Sequence, residues 1–317
     1  MYQKLLINFL HCFFCCTIIQ AQTVVPNYYS QQKKFTEALL HIIQRSGLDS
    51  NFNTGDDGIK TISFAVIDLT GDKALFGGVH FDSFIYPASV YKMYVAMEVL
   101  KQISKGRHSL YESYIVRSPN DVDKIAQISY DPRHVLKNGD TVTINYLLDL
   151  MITRSDNSAA NCMIDIAGRK NINYTLHENG WQGSEVTRKF LKRKYEDEGY
   201  DTIKGTETCA LHAADFMYKI YKNSLINPWV SMQLKSFLGR QLDTTKLSTG
   251  LPPNVMFYHK TGWWSDFTND VGIVEDGHIK YIISLFVPQS EDKARNKMKL
   301  VSREVYALIK GRHENLY

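Results

Sequence analysis

Two side chains in the stretch YPASVYKMYVAMEVL (86–100) have the types and the spacing that nucleophilic catalysis requires. Ser89 precedes Lys92 by three positions, at the start of an apolar pattern that predicts a helix. Positions i and i+3 share one face of a helix, so the lysine amine would lie beside the serine hydroxyl. A serine hydroxyl becomes a nucleophile when a neighbouring base accepts its proton. The structural alternative is a serine that caps an ordinary helix.

Two further short motifs follow along the chain. Ser155-Asp156-Asn157 lies between two predicted helices, where the same residues would also suit a loop and a helix cap. Lys260-Thr261-Gly262 lies on a predicted strand, where an exposed lysine beside a bulge glycine is the alternative. Each motif alone is weak. Their order, on a helix start, an interhelical loop and a strand, is the specific observation.

In this order the chain resembles the class A serine β-lactamases and, more widely, the penicillin-binding proteins. Tyr130-Asp131-Pro132 resembles the Tyr-x-Pro of class A enzymes, and the run SDNSAAN (155–161) matches their SDN-x-AAN. The run TNDVGIV after Lys260-Thr261-Gly262 is similar to their next strand. The resemblance covers about residues 30–310 and implies a serine hydrolase that opens β-lactams.

The resemblance implies a role for each catalytic residue. Ser89 would attack the carbonyl, and Lys92, desolvated and facing Lys260, would have a pKa low enough to act as its base. Ser155 would relay a proton to the leaving nitrogen, while Lys260 keeps the local field positive. The backbone N–H groups of Ser89 and Trp263 would form the oxyanion hole.

Substrate binding is expected from residues of the second and third motifs and from the Tyr-x-Pro run. By resemblance, Asn157 would hydrogen-bond the amide of the substrate's side chain and Thr261 would bind its carboxylate. Tyr130 would line the mouth of the site, and Gly262 would contact the substrate beside Thr261. The expected partner is a β-lactam or a peptidoglycan-like peptide, and neither a metal nor another cofactor is expected.

One part of the family pattern is missing. Class A enzymes clear the acyl-enzyme with a water activated by a glutamate in a Glu-x-x-x-Asn loop, and residues 184–208 contain no such pattern. When this stretch is aligned without gaps to the class A pattern, Arg193 occupies the position of the glutamate. The acidic run Glu196-Asp197-Glu198 would serve only if the loop took another path, and a solvated acidic turn is its alternative. The strand FTNDVGIV also lacks the arginine with which some class A enzymes meet the substrate carboxylate.

The missing glutamate leaves several functions open. The first is a β-lactamase that turns over. The second is a D-alanyl-D-alanine peptidase-like penicillin-binding protein, and the third is a sensor that β-lactams acylate at Ser89; in both, deacylation would be slow. In a remote fourth alternative the motifs are coincidental and Ser89 is only a cap.

Hydrophobic patterning predicts an α+β fold that would position the motifs. An antiparallel sheet built from both ends of the chain would be flanked by the terminal helices, with an all-helical lobe inserted between them. The expected lobes are 22–87 plus 228–317 for the α/β lobe and 88–227 for the helical lobe. The predicted helices are Gln31–Ser46, Ser89–Ser104, Thr143–Arg154, Asn157–Ala167, Ala210–Lys222 and Glu291–Lys310. Hairpins are predicted with turns at 70–72 and 275–277.

Composition is that of a soluble globular protein, with 44% hydrophobic and 22% charged residues among 317. The net charge of +4 is too small to indicate nucleic-acid binding. Residues 1–21 have the pattern of a secretory signal peptide cleaved near Ala21, which predicts an exported, periplasmic protein without a membrane span in the mature chain. The mature chain is expected to be a monomer. It would retain Cys162 and Cys209, which we expect to be buried free thiols, with a disulfide as the alternative.

Overall fold

The computed structural model describes residues 23–191 and 202–314. In this part of the chain the helices are α1 (Lys33–Arg45), α2 (Lys92–Ser104), α3 (Ile144–Thr153), α4 (Asn157–Ala167), α5 (Arg169–Glu178), α6 (Ala210–Tyr221), α7 (Pro228–Leu238) and α8 (Glu291–His313). The strands are β1 (Ser30–Gln31), β2 (Phe52–Asn53), β3 (Ile59–Lys60), β4 (Ser63–Asp68), β5 (Leu75–Val79), β6 (Ser113–Ile115), β7 (Thr141–Thr143), β8 (Met256–Trp264), β9 (Phe267–Glu275) and β10 (Lys280–Val287). Short 3-10 helices lie at Gly55–Asp57, Ala88–Tyr91 and Leu247–Gly250.

The central sheet combines strands from both ends of the chain. Its strand order is β1-β5-β4-β10-β9-β8, so the hairpin β4-β5 lies beside the hairpin β9-β10. These pairs are antiparallel, as are β4-β10 and β8-β9. The predicted α+β architecture is therefore confirmed. One edge differs from the prediction, because the two-residue strand β1 pairs parallel to β5 and is too short to leave a sequence pattern.

Both faces of the sheet are covered. Along β4, Phe64 and Val66 belong to the core formed with α1 and α8, whereas Ala65 and Ile67 belong to the core formed with the helical part. This alternation follows from the two-residue side-chain period of a strand. Because both faces pack against helices, all six residues of β4 are buried, and its four central residues, 64–67, are a continuous apolar run rather than an alternating one.

The helix that carries the first motif lies at the centre of the helical part. Nearly every side chain of α2 is buried, and α2 packs against α3, α4, α5 and α7. A helix surrounded in this way has a rigid start. The first residue of α2 is Lys92, so the surrounding helices hold the lysine in place.

Two helices were not predicted as separate elements. The start of α7 has a recognisable signal, since Asn227 accepts a hydrogen bond from the N–H of Val230 at 2.9 Å and Pro228 occupies the first turn. The start of α5 follows Gly168, which has a φ of 74°. Helix α7 begins at the expected boundary between the two lobes and packs against α2, α6 and β8. The boundaries of the lobes stay a prediction.

Cys162 and Cys209 are both buried and free, as expected. Among the described residues, none of the helices has the length and apolar character needed to cross a membrane. The predicted signal peptide lies outside the described residues.

Candidate active site

The turn that carries Ser89 is held against a strand of the sheet. Ser89 lies in the 3-10 helix that leads into α2, after Ala88, whose φ of 47° is rare for a residue with a side chain. Gly262 on β8 faces this turn. A Cβ atom on Gly262 would lie 2.7 Å from the backbone nitrogen of Ser89 and 2.7 Å from the carbonyl oxygen of Pro87. The absence of a side chain at Gly262 therefore lets β8 approach the backbone of Ser89.

Lys92 lies next to Ser89 and is completely buried. Its Nζ is 3.1 Å from Ser89 Oγ, 2.8 Å from Asn157 Oδ1 and 3.3 Å from Ser155 Oγ. Burial lowers the pKa of Lys92 to about 7, although the charges of Asp123 and Asp156 act in the opposite direction. At neutral pH a large fraction of this amine is uncharged, and an uncharged amine can accept the proton of a serine hydroxyl.

Ser155 lies between the two lysines of the site. Its hydroxyl oxygen is 3.1 Å from Lys260 Nζ and 3.3 Å from Lys92 Nζ. Burial first, and then the charge of Lys92, lowers the pKa of Lys260 well below its usual value. The hydroxyl of Ser155 thus connects two amines, an arrangement through which a proton can pass.

The SDN segment has its own supports. The side chain of Asp156 accepts a hydrogen bond from the N–H of Ala159 at 2.7 Å and thereby caps α4. Arg154 is an ion-pair partner of the same carboxylate at 2.7 Å. These contacts allow Ser155 to adopt a φ of 62°, which directs its side chain away from the helix. The loop-and-cap interpretation of the motif is therefore confirmed, and its functional role stays a prediction.

Asn157 is bound on both sides of its amide. Its Oδ1 accepts from Lys92, and its Nδ2 donates to Asp123 Oδ1 at 2.9 Å. The backbone N–H of Asn157 donates to Asp123 Oδ2 at 2.6 Å. Asp123 therefore fixes which way the amide points. No motif or spacing marks Asp123 in the sequence, and sequence reasoning missed it.

A cavity of about 570 Å³ opens beside Ser89. Asn157, Asp123, Phe190 and Trp263 are among its lining residues. Aromatic and aliphatic side chains at its rim are exposed, including Trp263 at 46% and Trp264 at 53%. The exposed part of the lining thus combines these large apolar side chains with charged ones such as Asp57 and Lys124.

The remaining predicted residues lie around this cavity in different ways. Tyr130 is 68% exposed, its hydroxyl donates to the carbonyl of Leu242 at 2.5 Å, and it is not among the described residues that line the cavity. Thr261 is buried on β8, where its carbonyl accepts from Lys260 at 2.8 Å. Trp263 follows Gly262 on the same strand, so its backbone lies one residue from the point of contact with Ser89.

The loop expected to carry the deacylating glutamate places an aromatic ring against Lys92. Asn161 on α4 accepts from the backbone N–H of Phe190 at 2.8 Å and donates to its carbonyl at 3.2 Å. The ring of Phe190 stacks on Tyr91 with centroids 4.5 Å apart, and its centroid is 4.2 Å from Lys92 Nζ.

The gapless alignment placed Arg193 at the position of the deacylating glutamate of class A enzymes. Arg193 and the acidic run 196–198 lie outside the described residues. Among the described residues of this loop, Phe190 lies against Lys92, and a phenyl ring has no atom that accepts a proton from water. The motif SDN-x-AAN contained the signal for this placement, because its last asparagine, Asn161, binds the loop.

A third buried lysine lies near Lys260. Lys246 is fully buried, with its Nζ 2.6 Å from Asp243 and 2.8 Å from Glu291. Its charge contributes to the low pKa of Lys260.

On the neighbouring strand β9, Asn269 lies opposite Gly262, and its side chain donates to the carbonyl of Tyr86 at 3.2 Å. Across residues 23–191 and 202–314, no three His, Cys, Asp or Glu side chains are grouped as metal ligands.

Comparison with known proteins identifies the family of the chain. The family described as the β-lactamase enzyme family matches residues 50–309, and the chain belongs to that family. β-Lactamase BRO-1 of Moraxella catarrhalis is 27% identical over 227 residues, covering 70% of this chain and 69% of the relative. A β-lactamase of Bacteroides uniformis is 28% identical over 289 residues, covering 83% and 91%.

Solved structures share the fold. PBP-A superimposes with a TM-score of 0.73 at 22% identity, covering 91% of this chain and 100% of PBP-A. A point mutant of PBP-A, an acyl-enzyme complex with penicillin G, gives a TM-score of 0.72 at 22% identity, with 87% and 97% covered. An ancestral class A β-lactamase gives 0.68 at 21% identity, with 86% and 99% covered. The fold is thus that of the class A β-lactamases and of PBP-A.

Proposed function

We propose that this protein opens the amide bond of β-lactams through an acyl-Ser89 intermediate. The observation that carries the proposal is the buried amine of Lys92, with a pKa lowered to about 7 and 3.1 Å from the hydroxyl of Ser89. Membership of the β-lactamase enzyme family supports the same substrate class.

Acylation begins at the pair Ser89–Lys92. Ser89 Oγ attacks the lactam carbonyl while Lys92 accepts its proton. The negative charge on the carbonyl oxygen is bound by the backbone N–H groups of Ser89 and Trp263. When the C–N bond breaks, the proton on Lys92 passes through the hydroxyl of Ser155 to the ring nitrogen, and the acyl group stays on Ser89.

The rest of the site orients the substrate. The Nδ2 of Asn157 uses one of its hydrogens on Asp123, so its second hydrogen is available for the carbonyl of the substrate's side-chain amide. The carboxylate of the β-lactam binds at the hydroxyl of Thr261, beside the amine of Lys260. Trp263 lines the cavity beside the substrate.

A second candidate function is acylation without efficient release. Its support is Phe190, which lies 4.2 Å from Lys92 Nζ where a class A enzyme would need a proton acceptor for the hydrolytic water. In this case the protein is a penicillin-binding peptidase or a β-lactam sensor, and the acyl-enzyme persists. The fold shared with PBP-A, solved as a mutant acyl-enzyme with penicillin G, is compatible with this candidate.

One experiment separates these functions. We would purify residues 22–317, mix them with a chromogenic cephalosporin, and follow colour and intact protein mass together. Ser89→Ala should carry no adduct, whereas the exposed Ser104→Ala should behave as the unmodified protein. Sustained turnover supports a β-lactamase, and a single burst with a lasting adduct on Ser89 supports the second candidate. A protein that forms no adduct and no product has neither of the two proposed functions.

We also propose that the chain is exported and that its mature form is monomeric. The support is the N-terminal pattern, in which Lys4 precedes an apolar run to Ile19 and then Ala21. Expression of the full chain in a Gram-negative host should give a periplasmic protein whose first residue is Gln22. Retention of residues 1–21 on a cytoplasmic product would contradict export, and sedimentation at about twice the expected mass would contradict the monomer.

A further inference from the structure

The inner wall of the active-site cavity carries a carboxylate. Asp123 lines the cavity and is only 9% exposed. Each of its two oxygens accepts one hydrogen bond from Asn157, at 2.6 and 2.9 Å. A carboxylate oxygen accepts two hydrogen bonds, so each oxygen retains capacity for another donor.

The cations near Asp123 have other partners. Lys92 donates to Asn157 Oδ1 rather than to Asp123. Lys124 donates to the carbonyl of Asp121 at 2.9 Å, and Lys189 forms an ion pair with Asp165 at 2.7 Å. Among the described residues, no lysine or arginine forms an ion pair with Asp123. A buried carboxylate without a cation in contact favours a ligand that brings its own positive charge.

The position of Asp123 indicates where that charge would be. In the proposed binding mode, the side-chain amide carbonyl of the substrate accepts from Asn157 Nδ2, the same atom that donates to Asp123 Oδ1. Asn157 Nδ2 would therefore donate one hydrogen to the substrate carbonyl and the other to the carboxylate of Asp123. The carbonyl and the carboxylate would then lie on either side of this one nitrogen atom. A group on the carbon next to that carbonyl is within reach of Asp123.

We propose that Asp123 selects β-lactams whose acyl side chain carries a protonated amine on the carbon next to its amide carbonyl. The ammonium donates to the carboxylate of Asp123 in a charge-assisted hydrogen bond. This inference rests on the proposed function, because it concerns acylation of Ser89, and it adds a substrate class to it.

Two penicillins provide the test. Ampicillin and benzylpenicillin differ only by the amino group on this carbon, so the ratio of their second-order acylation rates isolates its effect. We expect Asp123→Asn to lower the ampicillin-to-benzylpenicillin ratio about tenfold, the range of a hydrogen bond to a charged group. Asp121→Asn, two residues earlier and not among the cavity-lining residues, should leave the ratio unchanged. The rates are read from the appearance of the adduct by intact mass.

The outcomes separate this inference from the proposed function. An equal ratio in the unmodified protein and in Asp123→Asn, with both penicillins forming adducts, overturns the role of Asp123 and leaves the function intact. Absence of both an adduct and a hydrolysed product with either penicillin on the unmodified protein overturns both. If Asp123→Asn does not fold, a second comparison, made on the unmodified protein, still tests the inference. Ampicillin should then acylate it faster than ampicillin acetylated on that amine, and equal rates would overturn the inference.

Discussion

At the level of single residues, the chemistry depends on the charge of Lys92. Its amine faces oxygen atoms of Ser89, Ser155 and Asn157, and all of them accept hydrogen bonds from either form of the amine. Burial, more than these contacts, determines its pKa of about 7. A buried lysine without a carboxylate in contact loses its proton readily, because desolvation disfavours the charged form.

The rate of acylation should therefore rise with pH. Below pH 7 Lys92 is mostly protonated and cannot accept the proton of Ser89, and above pH 7 it is mostly neutral. Between about pH 6 and pH 8 the neutral fraction of a group with this pKa rises about tenfold, and the second-order rate of adduct formation should rise by the same factor. Unfolding midpoints measured at both pH values serve as the control for loss of folded protein. A flat profile would rule out Lys92 as the base.

Phe190 should limit release of the acyl group. Its ring lies against Lys92 and holds no proton acceptor, so Phe190→Glu should bring a carboxylate to the same place. We expect the adduct of Phe190→Glu to decay faster by about 10²-fold or more, the contribution of a positioned general base. Phe190→Leu is the matched control, because it changes the packing without adding a base. Equal decay in both variants would mean that packing, not base catalysis, controls release.

At the level of elements, the site depends on the contact between β8 and the turn that carries Ser89. Gly262 allows this contact, since a side chain there would overlap the backbone of Ser89 and Pro87. The strand also carries Lys260 and Trp263, so a shift of β8 would move the proton relay and the oxyanion hole together. The geometry of three functional groups is thus set by one glycine.

Gly262→Ala should therefore impair acylation and stability at once. Forcing β8 away from the turn should cost about 1–3 kcal/mol of unfolding free energy, as overpacking does. The acylation rate should fall at least tenfold, because small misplacements of catalytic groups are costly. Gly311→Ala on α8 is the control, since a Cβ there meets nothing within 4 Å. Urea unfolding and adduct formation measure the two effects, and an unchanged acylation rate would contradict the role of this contact.

At the level of the whole molecule, one buried carboxylate ties the N-terminal segment to the helical part. Asp215 on α6 accepts from the hydroxyls of Tyr28 and Tyr29 at 2.5 and 2.7 Å, and from Trp181 Nε1 at 2.8 Å. The charge of Asp215 is compensated by Lys219, 3.5 Å away. The segment before β1 is thus joined to elements far from it in sequence.

Removing one of these donors should weaken the folded state. Tyr29→Phe deletes a buried hydrogen bond to a charged group and should lower the unfolding free energy by about 2 kcal/mol. Tyr111→Phe, at a tyrosine that is 82% exposed, should change it by less than about 0.5 kcal/mol. Urea denaturation followed by fluorescence compares the two. A Tyr29→Phe variant as stable as the Tyr111→Phe variant would show that the hydrogen bond from Tyr29 to Asp215 contributes nothing to stability.

Sequence alone was sufficient for most of the local elements, and it singled out the residues to which the proposed chemistry assigns roles. The apolar face of α1, the two hairpins and the pairs of motif residues follow from spacing along the chain, because helix and strand periodicity is a short-range property. The resemblance carried by the motifs extended this to the α+β architecture. The sequence did not predict the parallel edge strand β1. It also did not predict α5 and α7 as separate helices, although Asn227 and Pro228 mark the start of α7.

Only the tertiary structure decided which side chains surround the reacting groups. Phe190 lies against Lys92 because Asn161 binds the loop, and Asp123 fixes Asn157 from a loop without any motif. These contacts join residues that are distant along the chain, and their geometry depends on the path of loops that have no periodic pattern. The sequence thus determined the acylation chemistry that can be expected. The surroundings that govern release of the acyl group and selection of the substrate depend on burial and long-range packing, which no local spacing encodes.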